Sequence, residues 1–96
     1  MKITIEELQE YLFDHYKNGG IDQSLFMKLV EEIGEVAEVL NKKAGRKSVG
    51  QEDLQTQLGN ELADVVHYTI AIAALNGIDM NDIILSKDKD ASIKYN

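Results

Sequence analysis

The stretch VEEIGEVAEVL, residues 30–40, decides how this chain is read. Its apolar residues recur at helical spacing, while four glutamates are interleaved among them. On a wheel of about 100° per residue with Glu32 at the origin, Leu25, Val36, Leu29, Leu40, Ile33, Phe26, Ala37 and Val30 fall between about 20° and 160°. Glu32 therefore stands at the edge of the apolar arc, and Glu35 lies about 60° further round, with Val39 between the two. Glu31 and Glu38 fall well away from the stripe, where water is expected. The four glutamates are thus not equivalent: two are solvated and two border the core.

The helix that carries them begins near residues 22–24 and runs to about Lys43, with Gly45 placed to end it. Working outward, Thr4-Ile5-Glu6-Glu7 forms a capping box that opens a first helix, and Asn18-Gly19-Gly20 stops it. Residues 44–50 form a loop that holds Arg46 and Lys47 beside Lys42 and Lys43. These charges are placed either to meet an anionic ligand or a partner subunit, or to complement the helix dipole. A third helix starts around residues 51–54 and continues to Asn76, with Gly77 behind it. Asp79 caps a shorter fourth helix that frays toward Tyr95. No strand-like alternation or internal repeat is present. The expected fold is all-α: one bundle-like domain of four helices over residues 1–96, the second and third long and antiparallel.

The third helix repeats the arrangement of the second. With Glu61 at the origin, Leu54, Val65, Ile72, Leu58, Thr69, Leu62 and Ala73 occupy the arc from about 20° to 120°, and Asp64 lies about 60° away. Two long helices each present an acidic pair, spaced i and i+3, at the margin of an apolar face. Burying such groups unpaired costs several kcal/mol or forces protonation. The third helix offers no lysine or arginine to neutralise them. Four convergent carboxylates without cationic partners call for a divalent ion that prefers oxygen, Mg²⁺ or Mn²⁺. A glutamate-rich solvated face is the plain alternative, and the paired spacing on two helices argues against it.

Composition narrows the rest. The chain has 96 residues, 44% hydrophobic and 28% charged, with no proline or cysteine and a net charge of −7. That suits one ordinary globular domain. It excludes disulfides and thiolate metal sites, disfavours binding of a nucleic-acid polymer, and fits a reducing cytoplasm. The most apolar stretch, residues 65–75, is far short of the ~20 residues of a membrane span, and His67, Tyr68 and Thr69 interrupt it.

The segments KLVEEIGEVAEVLNKK and NELADVVHYTIAIAALNGIDM resemble the MazG-like family of all-α nucleotide pyrophosphohydrolases. Glu31-Glu32-x-x-Glu35 and Glu61-x-x-Asp64 carry the resemblance, which covers residues 25–85. It implies hydrolysis of a nucleoside triphosphate to the monophosphate and pyrophosphate, with Glu32, Glu35, Glu61 and Asp64 as ligands of Mg²⁺ (or Mn²⁺). Glu31 is the candidate catalytic residue, orienting a ligand or the attacking water. The tail ILSKDKDASIKYN is similar to the family's basic segment, making Lys87 and Lys94 candidate phosphate contacts. It departs from the family pattern at Asp90, where lysine is frequent, and at Ala91, where asparagine is. Phe13, His15 and Tyr16 gather before the first break, and Tyr16 is the candidate for stacking on a nucleobase, with core packing as the alternative. His67 reads as a packed polar residue or a neighbour of Asp64.

The third helix is apolar nearly all round between residues 62 and 75, including Ala63, Ile70, Ala71 and Ala74 opposite Glu61. So short a chain has little left to cover it, so a homodimer or a dimer of dimers is expected. Two rivals stand beside the triphosphate reading: a phosphoribosyl-ATP pyrophosphohydrolase, and a non-catalytic metal-binding or regulatory helical dimer.

Overall fold

The structure is a computed structural model that describes residues 1–45, 53–88, 90, 93 and 94. Four α-helices follow in order: α1 (Ile5–Tyr16), α2 (Asp22–Lys43), α3 (Leu54–Leu75) and α4 (Met80–Lys87). Among the described residues there is no strand, so the fold is all-α as the periodicity requires. Arg46, Lys47, Gln51, Ala91 and Tyr95 lie outside the described residues.

The helix ends follow local chemistry. Thr4 Oγ1 accepts from the Glu7 amide at 3.1 Å, and Glu7 Oε1 accepts from the Thr4 amide at 3.0 Å, completing the capping box. Asp53 caps α3, accepting from the Thr56 amide at 3.1 Å and the Thr56 hydroxyl at 2.6 Å. The hydroxyl bond, then the amide bond, hold the Asp53 carboxyl below its ordinary pKa. Asp79 caps α4 by accepting from the Asp82 amide at 3.2 Å. Gly45 and Gly77 end α2 and α3 at φ of 75° and 65°, a region that other L-residues enter only with strain.

The chain divides into two compact units: Met1–Gly20 with Ile70–Asn96, and Ile21–Thr69. In the first, Leu12, Ile70, Ala71, Ala73 and Ala74 are buried. The Gln9 side chain ties α1 to the turn before α4: its amide donates to the Ile78 carbonyl and its carbonyl accepts from the Met80 amide at 3.2 Å.

In the second unit α2 runs beside α3. Lys43 at the end of α2 donates to Gln55 near the start of α3 at 3.1 Å. Glu32, earlier in α2, meets Glu61 and Asp64, later in α3. Rising numbers on one helix thus meet falling numbers on the other, so the pair is antiparallel.

Two expectations about packing are corrected here. Of the α2 stripe only Leu25 is buried, together with Val39 from beside Glu35; Phe26, Val30, Ile33 and Leu40 are exposed. The inward side of α2 is therefore centred on Glu32 rather than bordered by it. Of the α3 residues that seemed to demand a second subunit, Ile70, Ala71 and Ala74 are covered within the chain, whereas Ala63 is exposed. Uncovered apolar surface does exist, on α2 and at Leu62 and Val66 of α3.

Candidate metal centre

Antiparallel packing brings the two acidic motifs face to face. Carboxylate oxygens of Glu32, Glu61 and Asp64 all lie within 4.8 Å of one another. In each i, i+3 pair the first residue is half-buried and the second exposed: Glu32 before Glu35, Glu61 before Asp64. Helix geometry explains this, because three residues turn the side chain about 60° past its neighbour, out of the inter-helix seam toward water.

Glu32 Oε2 and Glu61 Oε2 are buried and have no hydrogen-bond partner among the described residues. A carboxylate oxygen accepts and never donates, so two of them facing each other without a donor are an electrostatic fault unless a proton or a cation intervenes. The crowding itself favours the proton. Hydrogen bonding to Glu35, then to Glu32, favours the neutral form of Glu61; desolvation and the charges of both neighbours add to it. Its pKa is pushed up to about 7. For Glu32 the bond from Glu61 acts downward, but desolvation and the charges of Glu35 and Asp64 outweigh it, and its pKa is raised overall. One proton shared by crowded carboxylates is what a metal-free site does in place of binding a cation.

The donors are all oxygen, the set that suits a hard divalent cation. Glu35 stands at the rim: it is exposed and reaches Glu61, but is not part of the tight three-residue group. Glu31 is exposed and pairs with Lys28 at 3.4 Å. Glu38, expected in water, is half-buried. His67 is not in the group; its ring meets Tyr68 edge-on at 4.8 Å between centroids. The other candidates belong to the first unit. Lys87 closes α4 and is exposed, Lys94 is exposed, and Tyr16 is half-buried with its ring edge-on to His15 at 4.7 Å.

Fold and site together define an all-α protein with a carboxylate centre suited to a divalent metal. The chain belongs to the MazG nucleotide pyrophosphohydrolase domain family, whose model matches residues 22–89. That match includes all five acidic candidates, Glu31, Glu32, Glu35, Glu61 and Asp64, and Lys87 as well. No curated protein matches the chain.

Proposed function

We propose that this protein is a Mg²⁺-dependent nucleoside triphosphate pyrophosphohydrolase, converting a (d)NTP and water to the (d)NMP and pyrophosphate, in a nucleotide house-cleaning role. The observation that carries this reading is the pair of buried, partnerless oxygens on Glu32 and Glu61, beside Asp64, within a family named for this reaction.

Glu32, Glu61 and Asp64 would hold the metal, and Glu35 would add a carboxylate from the rim. When bound, Mg²⁺ supplies the positive charge that offsets the triphosphate oxygens and polarises a water. The rest falls to the chain. Two antiparallel helices fix the carboxylates without relying on a loop. Glu31 lies one helical turn before Glu35 (i, i+4) and is free of the seam, so it orients the attacking water and accepts its proton. Attack on the α-phosphorus breaks its bond to the α–β bridging oxygen, which leaves with pyrophosphate. Lys87 and Lys94 are assigned as phosphate contacts on the resemblance of the tail to the family's basic segment, and Tyr16 as the base-stacking residue on its place in the aromatic cluster before the first break.

We read residues 1–96 as one functional domain, since the family match runs through parts of both compact units. The working form is a homo-oligomer in the cytoplasm. A nucleic-acid polymer is not the partner, given the net charge of −7. Among the described residues no helix is long and apolar enough to cross a membrane.

Product analysis with the common ribo- and deoxyribonucleoside triphosphates, with and without Mg²⁺, tests the reading. Metal-dependent monophosphate plus pyrophosphate is the expected result. Diphosphate plus phosphate would mean the wrong bond and overturn it. Turnover of phosphoribosyl-ATP alone would replace the substrate, and no turnover would favour a non-catalytic module.

A further inference from the structure

The carboxylate centre is short of positive charge. Glu32, Glu35, Glu61 and Asp64 carry four negative charges when all are ionised, and one divalent ion cancels two. The phosphates of a nucleotide would still meet a negative surface there. Few basic residues stand near in sequence. Lys28 is the only lysine or arginine from residue 18 to residue 41, and there is none from residue 48 to residue 86. Lys42 comes ten residues after Glu32, about 15 Å further along α2.

Lys28 is placed to answer that shortage. It lies one turn before Glu32 (i, i+4) and three residues before Glu31. With Glu32 at the origin of the wheel, Lys28, Glu35, Ser24 and Glu31 fall about 40°, 60°, 80° and 100° to one side. All four are exposed. Their spacing of 4, 3 and 4 residues makes one polar stripe, from the first turn of α2 to the rim of the carboxylates. A cavity of about 420 Å³ lies along it, lined by Gln23, Ser24, Met27, Lys28 and Glu31. That volume is in the range of small-molecule sites. The donors it offers are an ammonium, a hydroxyl and a side-chain amide, a set that suits phosphate oxygens.

Helix stability does not account for the lysine. Its ammonium reaches Glu31 Oε2 at 3.4 Å, and the two side chains are 58% and 59% exposed. A pair so open to water contributes little. Lysine ahead of glutamate is also the less stabilising order on a helix, because it runs against the macrodipole.

We propose that Lys28 binds the β- and γ-phosphates of the nucleotide, with Ser24 and Gln23 donating to the same oxygens. The α-phosphate sits at the carboxylate centre, and the pyrophosphate half of the substrate extends along the stripe into the cavity. The nucleoside does not suit this place, because no aromatic ring lines it to stack on a base. The phosphates draw the ammonium away from Glu31, which leaves that carboxylate facing the water it orients. This inference rests on the hydrolase reading above and adds to it a residue that holds the leaving group.

Inorganic pyrophosphate with MgCl₂, titrated into the full-length protein in a calorimeter, tests the contact without turnover. Lys28→Gln is expected to weaken binding about tenfold, the worth of one charge-assisted hydrogen bond, and Lys28→Arg to restore most of it. In steady state Lys28→Gln should raise KM about tenfold and leave kcat nearly unchanged. Lys28 is exposed, so both variants should fold and keep the Mg²⁺-induced thermal shift. A Glu31→Gln background separates direct contact from influence through the ion pair. The tenfold loss should persist there, whereas a lysine acting only through Glu31 would show none. Unchanged pyrophosphate affinity and KM in Lys28→Gln, or a loss that vanishes beside Glu31→Gln, would overturn the assignment while leaving the hydrolase reading intact. A wild type that neither hydrolyses triphosphates nor binds pyrophosphate would overturn both.

Discussion

Glu32 and Glu61 face each other from antiparallel helices, each with one buried carboxylate oxygen that no described residue satisfies. A divalent cation between them would remove the repulsion and supply both missing partners, so on the proposed reading it would bind the folded chain and not the unfolded one. Mg²⁺ is therefore expected to raise the melting temperature of the wild type in a concentration-dependent way. Glu32→Gln and Glu61→Gln should lose that shift and at least about 100-fold of turnover, while melting no lower than wild type without metal. Thermal denaturation with and without MgCl₂ checks this. A Glu61→Gln variant that keeps the full Mg²⁺ shift would show that the ion sits elsewhere.

The same crowding sets an unusual pH dependence. The Glu61 pKa is raised to about 7 in the folded chain from 4.5, and that of Glu32 is raised too. The folded state then binds more protons than the unfolded state between these values, so this contribution to stability is greatest at low pH and is lost as pH rises toward about 7. That is opposite to a carboxylate held by a cation. Metal binding must expel the proton, so Mg²⁺ affinity should climb over the same window and level off above it. Calorimetry in buffers of different ionisation enthalpy should detect proton release on binding near pH 6. Glu61→Gln should abolish that release.

What the sequence disclosed was whatever depends on neighbours along one helix. The Thr4 capping box, the Asp79 cap, the glycine stops and the i, i+3 acidic pairs are local, and each stands where the spacing puts it. A wheel gives angles around one axis but not which part of a wide apolar arc meets a neighbour. It grouped Leu25 with Ile33, although only Leu25 is buried, and it set Glu35 level with Glu32, although Glu35 is exposed. The heptad order of Phe26, Val30, Ile33, Ala37 and Leu40 was the available signal for two faces in one stripe. Gln9, which joins α1 to Ile78 and Met80, had none, because its partners are backbone groups 69 and 71 residues away.

Gly77 lets α3 end and α4 begin, and its φ of 65° is the left-handed conformation. Gly77→Ala forces a Cβ into that region at a cost of about 1 kcal/mol. For a domain of this size the melting temperature should fall by about 4–8 °C. Turnover below the new transition should be unchanged, because Gly77 contributes no side chain. A calorimetric scan and one rate measurement suffice; a loss of rate without a loss of stability would place this turn in the reaction.

Lys87 and Lys94 are both exposed, and in the proposed role of phosphate contacts they would bind substrate without entering the chemistry. Lys87→Ala or Lys94→Ala should raise KM about tenfold, the worth of one charge-assisted hydrogen bond, with little change in kcat. The Mg²⁺-induced thermal shift should persist in both. Steady-state kinetics at two ionic strengths separate this from a structural effect, since salt should shrink the difference between variant and wild type. An unchanged KM in both would remove the tail from the substrate site.

Glu31 gives the sharpest division between holding the metal and using it. It shares a helix with Glu32 and Glu35 but is exposed, and its ion pair with Lys28, at 3.4 Å between exposed side chains, adds at most about 1 kcal/mol. Nothing structural therefore depends on its charge. Glu31→Gln should leave the melting temperature and its Mg²⁺ shift as in wild type while lowering kcat by about 100-fold, the usual worth of a positioned general base. Lys28→Ala, which removes the partner alone, should alter kcat little. If Glu31→Gln instead abolishes the Mg²⁺ shift, Glu31 is a metal ligand and the water is activated by another carboxylate, with Glu35 at the rim the first to substitute.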